Sequence, residues 1–169
     1  MSFKKNIIAF IVISLLGTIG HFIFNWTGQN EIIGLFFPVN ESVWEHLKLV
    51  FLPFLIYSII EYFSSKEKPD NYFPAVAIGI LNAIFIIIAI YYIANGIIGY
   101  DVEFINIGSY YVGVLIGLCK RNKILSSKKF TSKGANIFFI SNLIILGVLF
   151  AVFTNNPPSL GIFTPPMPV

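Results

Sequence analysis

Two histidines and one short polar run carry the side chains best suited to chemistry in this sequence. The run extends from Asn40 to Lys48, and His21 precedes it. Imidazole and carboxylate groups serve as general acids and bases, and both also bind Zn²⁺. The candidate catalytic residues are His21, Glu41, Glu45 and His46. His21 and His46 are also candidate ligands of a divalent metal such as zinc.

Structure alone explains part of the polar run. Ser42 and Glu45 have the S-x-x-E spacing that predicts a capping box at a helix start. The sequence contains no H-E-x-x-H motif, and the neighbours Glu45 and His46 point in different directions on a helix. Three roles for His21 and His46 therefore stay open: hydrogen bonding within the fold, metal binding, and catalysis or ligand binding without a metal.

Further polar side chains are expected at the same membrane depth as the histidines. The candidate ligand-binding residues are Asn40, Trp44, Lys48, Asp101 and Glu103. Lys48 would lie roughly 9 Å inside the helix that begins near Val43, at 1.5 Å of rise per residue. A lysine at that depth must reach out to the interface, pair with Glu45 or Glu41, or lean on Trp44. In a lipid-binding site it would complement an anionic head group.

The elements that must position these residues follow from hydropathy. The chain has 169 residues, of which 56% are hydrophobic and 11% are charged, so a single water-soluble domain of this size could not bury its apolar surface. Lipid must cover it. We predict one all-α membrane domain over residues 1–169, with five transmembrane helices and a proline-rich outer tail. The helices are expected at about 6–25, 43–63, 74–94, 102–119 and 135–153, and the tail at 154–169.

The basic residues indicate the orientation of the helices in the membrane. With five spans, every lysine and arginine except Lys48 falls on the side of the N-terminus, and cytoplasmic loops are the ones rich in these residues. The N-terminus is therefore predicted to be cytoplasmic and the C-terminus extracytoplasmic. The basic residues act as topology signals, which argues against nucleic acid as a partner and for membrane lipids. The location expected is the plasma membrane, in a bacterium.

The first helix has an alternative interpretation as a cleaved secretory signal peptide. Lys4 and Lys5 precede an apolar run, as in such a signal. The run continues with bulky residues over 21–26 and lacks a small-x-small cleavage site, so a retained helix is favoured.

Small residues predict where two helices pack closely. Ser109, Gly113 and Gly117 repeat every four residues on the fourth predicted helix. This small-xxx-small spacing allows helix backbones to approach each other within a membrane. We expect the contact to be with another helix of the same chain rather than with a second copy.

The polar run also resembles a signature of a known group of proteins. Residues 37–48 read FPVNESVWEHLK, and with His21 on the preceding helix they resemble a family of small multi-pass bacterial membrane proteins of unknown function. Residues 153–163 resemble a degenerate form of the proline motif of that family. The chain departs from the family at Thr164, where the family's tails continue with Asp-Pro. The resemblance implies the architecture and the candidate positions, and it implies no reaction.

Three functions are compatible with these patterns. The first is a membrane-embedded enzyme that acts on a lipid or lipid-linked substrate through an outward-facing histidine and carboxylate site. The second is a subunit that binds or transports a small molecule or lipid. The third is a structural partner protein of a membrane complex. The polar residues collected on one predicted face favour the first.

Overall fold

The computed structural model describes residues 3–166, which form helices and connecting loops without any strand. Five long helices carry most of the chain, and one short helix precedes the second of them. They are α1 (Phe3–Trp26), α2 (Glu31–Gly34), α3 (Val43–Ser64), α4 (Tyr72–Ile98), α5 (Glu103–Leu125) and α6 (Lys133–Asn155). A 3₁₀ turn, Gly161–Phe163, follows. The five long helices correspond to the five predicted segments, whereas α2 was not predicted. Residues 167–169 of the predicted tail lie outside the described residues.

Four of the long helices are long and apolar enough to cross a membrane: α1, α3, α4 and α6. The chain therefore has the helices of a membrane protein, as its composition predicts. The remaining long helix, α5, has 23 residues but includes Glu103 in its first turn and Lys123 in its last. A fifth crossing by α5 stays a prediction, and so does the orientation of the termini.

The long helices alternate in direction, and their ends meet in two groups. Three hydrogen bonds between helix ends show this: Tyr72 OH to Ser58 O (2.7 Å), Asn122 Nδ2 to Asn6 Oδ1 (2.9 Å), and Thr154 Oγ1 to Glu45 Oε1 (2.9 Å). We call the end that carries Trp26, Val43, Ile98, Glu103 and Asn155 the site end. The opposite end carries every lysine and arginine except Lys48, and we call it the basic end.

Small residues bring α4 and α5 into close contact, which confirms the expected packing within one chain. A methyl group added to Gly117 would lie 2.7 Å from the carbonyl oxygen of Gly79, and one added to Gly113 would lie 3.0 Å from that of Ala83. Both distances are too short for a carbon beside an oxygen. The two helices therefore form a hairpin whose separation depends on glycine.

The core lies between α1, α3, α4 and α5, where Ile13, Phe54, Ile80 and Val114 are fully buried. In contrast, α6 packs on the outside of this group and has only two buried residues, Leu143 and Phe150, among those described. The helices that carry the two histidines, α1 and α3, are therefore part of the buried core.

A buried charged group holds the basic end together. The Arg121 side chain is fully buried, and its Nη2 donates to Oε2 of Glu61. The Tyr72 hydroxyl donates to the same oxygen at 2.7 Å. Because α5 extends to Leu125, beyond the predicted end at residue 119, Arg121 belongs to the helix and not to the following loop. This arginine therefore links α5 to α3 in addition to contributing to the basic end.

Candidate functional site

The start of α3 is fixed by side chains that bond to the backbone. The Ser42 hydroxyl accepts a hydrogen bond from the Glu45 N–H at 3.4 Å, as expected of an N-cap. The other half of the predicted capping box is wrong, because the Ser42 N–H bonds to Oδ1 of Asn40 at 2.9 Å and not to Glu45. Asn40 therefore has a structural bond. Glu41, between these two residues, is held on a short and constrained segment.

His21, His46 and Glu41 come together at the site end. His21 lies near the end of α1 and His46 lies one turn into α3, and their Nε2 atoms are 3.1 Å apart. Glu41 Oε2 lies 3.7 Å from His21 Nε2 and 3.3 Å from His46 Nε2. Helices α1 and α3 thus supply one imidazole each, and the loop before α3 supplies the carboxylate. We call these three residues the triad.

The backbone carbonyl of Ser42 determines which ring nitrogen of His46 carries the proton and which one is an acceptor. The Nδ1 atom of His46 lies 3.0 Å from the carbonyl oxygen of Ser42. Since a carbonyl oxygen only accepts, Nδ1 carries the proton and donates it to this bond. In the neutral ring, the lone pair on Nε2 is then directed toward His21 and Glu41. This is the arrangement in which histidines bind metals, with the second nitrogen held by an outer hydrogen bond.

The triad is open to its surroundings. The side chains of His21, His46 and Glu41 are 35%, 31% and 66% exposed. When the rings are protonated, the hydrogen bond that His46 donates through Nε2 and the charges of both rings hold the pKa of Glu41 below its usual value of 4.5. Glu41 is therefore a carboxylate at neutral pH, the form that binds a cation.

The spacing of the three ligand atoms fits a tetrahedral metal ion. Zinc bonds of about 2.0–2.1 Å at tetrahedral angles place neighbouring ligand atoms roughly 3.3–3.4 Å apart. The three distances in the triad, 3.1, 3.3 and 3.7 Å, are close to that value. The three residues form the one group of this kind among the described residues. A set of two imidazoles and one carboxylate fills three positions of a tetrahedron and leaves the fourth open.

Lys48 and Glu45 form a separate buried pair. Lys48 Nζ lies 2.7 Å from Glu45 Oε2, and it also donates to the Thr154 hydroxyl at 2.5 Å and the Gly34 carbonyl at 2.8 Å. A second bond to a backbone carbonyl, that of Phe37, is 3.4 Å long. An ammonium group has three donors, and all three have acceptors here. Lys48 is thus engaged inside the fold, and its pairing with a neighbouring acid is one of the alternatives that the sequence predicted; contact with a ligand stays a prediction.

The Glu45 carboxylate is likewise hydrogen-bonded inside the fold. Besides Lys48, its Oε2 accepts a hydrogen bond from the Val39 N–H at 3.0 Å, and its Oε1 accepts one from Thr154 at 2.9 Å. These partners lie on the loop before α3 and at the end of α6. Glu45 was predicted as a catalytic residue beside the histidines, and the structure places its carboxylate with Lys48 and not in the triad.

Trp44 joins the tail to α3 and α6. Its ring centroid lies 4.7 Å from that of Phe150, 5.6 Å from that of Phe153 and 4.9 Å from that of Phe163. The predicted outer tail therefore folds back against the start of α3 through the 3₁₀ turn. Trp44, a predicted ligand-binding residue, serves as the surface on which the tail packs.

The predicted acidic residues of α5 lie at the site end but have their own environment. Asp101 Oδ1 accepts hydrogen bonds from Nδ2 of Asn106 at 2.8 Å and from Nδ2 of Asn95 at 3.2 Å. Glu103 is exposed in the first turn of α5. The structure thus brings His21, Glu41 and His46 together, while Asp101 and Glu103 stand apart from them.

Two contributors to the site end were missed from the sequence. Thr154 looked like the first residue of the tail, yet it is the last residue but one of α6 and bonds to both Lys48 and Glu45. Gly34 ends the unpredicted helix α2, and a methyl group there would lie 2.7 Å from Val39 Cγ1. Neither residue has a local signal, since a lone threonine and a lone glycine acquire these roles only through distant partners.

An apolar groove runs between α3 and α6. It has a volume of about 650 Å³, and its walls include Phe51, Leu55, Leu143, Ile144 and Gly147. Lys48 lines it at the site end. Both helices are long and apolar enough to cross a membrane. A groove between two such helices lies at the depth of the lipid acyl chains.

Comparison with known proteins places the chain in one family. Residues 1–168 match the model of a family of unknown function, DUF6512. Searches of the curated proteins and of the solved structures find no significant match. The predicted resemblance to a family without an assigned activity is therefore confirmed in its general form. Since the match covers nearly the whole chain, this protein belongs to the family of unknown function DUF6512.

Proposed function

We propose that this protein is a zinc-dependent, membrane-embedded hydrolase whose metal ligands are His21, Glu41 and His46. The observation that carries the proposal is the near-tetrahedral spacing of three ligand atoms, 3.1 to 3.7 Å apart, from two helices and one constrained loop. Catalytic zinc sites have three protein ligands and an open position, whereas structural sites have four. Zinc in such a site activates water for attack on an electrophilic carbon or phosphorus atom.

Each residue of the triad has a distinct part in this proposal. His46 would bind the metal through Nε2, because Ser42 holds the proton of the neutral ring on Nδ1. His21 supplies the second imidazole from α1. Glu41 would bind the metal through Oε2, and its second oxygen, on a side chain that is 66% exposed, could accept a proton from a water molecule.

Glu45 and Lys48 act as positioning residues. The Glu45 carboxylate binds the Val39 N–H, and Val39 lies two residues before Glu41. The same carboxylate binds Lys48, which holds the backbone at Gly34. These bonds keep the loop against α3, so that Glu41 stays within reach of both histidines.

The membrane determines the kind of substrate and the side on which it is met. Four apolar helices embed the protein in lipid, and the triad lies at one end of the bundle, the site end. By the positive-inside rule, the basic end lies on the cytoplasmic side. With this orientation the chain crosses the membrane five times and the triad faces outward. The proposed location is the bacterial plasma membrane, and the proposed substrate is a lipid or a lipid-linked molecule.

Metal analysis of the purified protein tests this proposal. The full chain, exchanged into zinc-containing buffer and then desalted in detergent, should retain about one zinc ion per chain by mass spectrometry. The substitutions His21→Ala, His46→Ala and Glu41→Gln should each lower this content at least about tenfold, since each removes one of three ligands. Glu103→Gln, which removes an exposed carboxylate at the same end, should leave it unchanged. Zinc retention by the His21→Ala/His46→Ala double variant equal to that of the wild type would refute the site.

A second candidate function is supported by the groove between α3 and α6. Its volume of about 650 Å³ lies within the range of small-molecule sites, and its lining is apolar apart from Lys48. A subunit that binds a lipid without transforming it would use this groove and not the triad. Native mass spectrometry distinguishes the two functions. A lipid that remains bound in the His21→Ala/His46→Ala variant but is lost in Gly147→Leu, together with no turnover by the wild type, would favour the binding subunit.

A further inference from the structure

We infer that the scissile group of the substrate is an uncharged ester or amide of an apolar chain and not a phosphate ester. This inference rests on the proposed hydrolase function and goes beyond it by naming the substrate class. It follows from the distribution of charge around the triad, from the charge of the ligand set, and from the aromatic side chains beside His21.

Apart from the histidines of the triad, the site end has no lysine or arginine that is available to receive a phosphate. Of the 11 lysines and arginines of the chain, all within the described residues, only Lys48 lies at this end. Its side chain is 2% exposed, and its three donors are engaged by Glu45, Thr154 and Gly34. Sites that transfer phosphoryl groups place arginine, lysine or additional metal ions around the phosphoryl oxygens.

The side chains that are available at the site end are acidic. Glu31, Asp101 and Glu103 accompany Glu41 there, while the fifth acid, Glu45, is neutralised by Lys48. An anionic substrate would meet like charges as it approached the triad. Like-charge contacts are a general means by which a protein excludes a wrong partner. The site end therefore selects against phosphate esters and anionic head groups.

The ligand set itself suits a carbonyl group. Two neutral imidazoles and one carboxylate reduce the charge of a divalent ion by one unit. The remaining positive charge can polarise one carbonyl oxygen, which is the Lewis-acid role of a single metal. Enzymes that cleave phosphate esters commonly hold two metals about 3.5–4 Å apart. The triad is the one group of three such potential ligands among residues 3–166, and the described residues contain no second group of this kind.

Aromatic side chains lie beside His21 and are exposed. The ring of Phe22 lies 5.2 Å from that of His21 and 5.7 Å from that of Trp26, on which it stacks with an interplanar angle of 19°. Phe22 and Trp26 are 46% and 70% exposed. This pair offers an apolar surface that extends away from the triad along α1. An acyl chain lying on it would bring its carbonyl group toward the metal ligands.

The reaction that follows is hydrolysis of an acyl bond. The oxygen of water attacks the carbonyl carbon and forms a new C–O bond, while the water proton passes to the free oxygen of Glu41. The bond from the carbonyl carbon to the alcohol oxygen or amine nitrogen then breaks. Glu41 returns the proton to that leaving atom, so the products are a carboxylic acid and an alcohol or amine.

Two substrates that differ only at the scissile group test the inference. The zinc-loaded full chain in neutral detergent is assayed with p-nitrophenyl octanoate and with p-nitrophenyl octyl phosphate, which share their leaving group and chain length. Each rate is divided by the uncatalysed rate and corrected with zinc-treated His46→Ala protein. We expect the acceleration of the ester to exceed that of the phosphodiester by roughly 100-fold, because like charges at the site end repel the phosphodiester.

The outcomes separate the inference from the function on which it rests. A larger acceleration of the phosphodiester would overturn the neutral-substrate inference and leave the zinc hydrolase in place. If the zinc-loaded protein accelerates neither substrate above His46→Ala, the hydrolase proposal fails and the inference fails with it. If the protein accelerates both equally, the charge of the site end does not select the substrate, and the inference is wrong.

Discussion

The Nζ atom of Lys48 lies 2.7 Å from Oε2 of Glu45, and the two side chains are only 2% and 3% exposed. The pair is the centre of a network that joins three parts of the chain. Lys48 bonds to the carbonyl oxygen of Gly34 at the end of α2, and Thr154 at the end of α6 bonds to both charged groups. The start of α3 therefore fixes the loop that carries Glu41 and also the last turn before the tail.

Removal of one charge from this pair should destabilise the protein strongly. Lys48→Met keeps most of the side-chain volume but leaves the Glu45 carboxylate buried without its cation. Breaking a buried pair from one side costs about 3–5 kcal/mol. We expect a loss of this size in the free energy of unfolding, measured by chemical denaturation in detergent.

Two further variants distinguish the buried pair from a general effect of losing a lysine. Lys66→Met changes an exposed lysine at the basic end and should alter stability by less than about 0.5 kcal/mol. The double variant Glu45→Gln/Lys48→Met removes both charges, and it should be more stable than Lys48→Met alone. Equal stability of Lys48→Met and Lys66→Met would show that the pair contributes nothing.

The α4–α5 contact should depend on the absence of a side chain at Gly117. In Gly117→Ala, the new methyl group would lie 2.7 Å from the Gly79 carbonyl oxygen, so the two helices must separate. Overpacking of this kind costs about 1–3 kcal/mol. Thermal unfolding followed by circular dichroism should show a lower midpoint for this variant.

Gly108 provides a matched control on the same helix. A methyl group at Gly108 would meet no atom within 4 Å. Gly108→Ala should therefore be neutral or stabilising by up to about 1 kcal/mol, because alanine is the better helix former. If the two alanine variants unfold at the same temperature, close packing at Gly117 is not required.

The long helices were predictable because hydropathy and helix length follow from local sequence. The meeting of His21 with His46 was also predictable, since consecutive antiparallel helices place residues of equal depth side by side. The pairing of Glu45 with Lys48 was one predicted alternative, but the bonds of Glu45 to the Val39 N–H and to Thr154 were not predicted, because no local pattern links Glu45 to these two residues. Arg121 was assigned to a loop, because hydropathy along the sequence cannot show that Arg121 lies inside the bundle with Glu61 and Tyr72.

The hydroxyl group of Tyr72 should contribute measurably to the basic end. Its one proton is shared between two acceptors, the Ser58 carbonyl oxygen and Glu61 Oε2, each 2.7 Å from the hydroxyl oxygen, and Tyr72 is 5% exposed. Tyr72→Phe removes the hydroxyl and leaves these acceptors without one donor, which costs about 1–3 kcal/mol. Tyr100→Phe, at a position that is 60% exposed, should change stability by less than about 0.5 kcal/mol. Similar denaturation curves for both variants would contradict this role.

The interaction of Glu41 with the histidines should make stability depend on pH in acid. The hydrogen bond with His46 lowers the pKa of Glu41 in the folded protein below 4.5, its value in the unfolded chain. A group with a lowered folded pKa stabilises the protein fully above its unfolded pKa, and the contribution disappears as the pH falls through the folded value. In buffer with EDTA, the wild type should therefore unfold at a higher temperature than Glu41→Gln at pH 6, and this difference should shrink as the pH drops below 4.5.

The control Glu103→Gln, which changes an exposed carboxylate, should unfold close to the wild type throughout. A difference between wild type and Glu41→Gln that stays constant from pH 6 to pH 3.5 would mean that the Glu41 carboxylate makes no favourable contact with the two histidines.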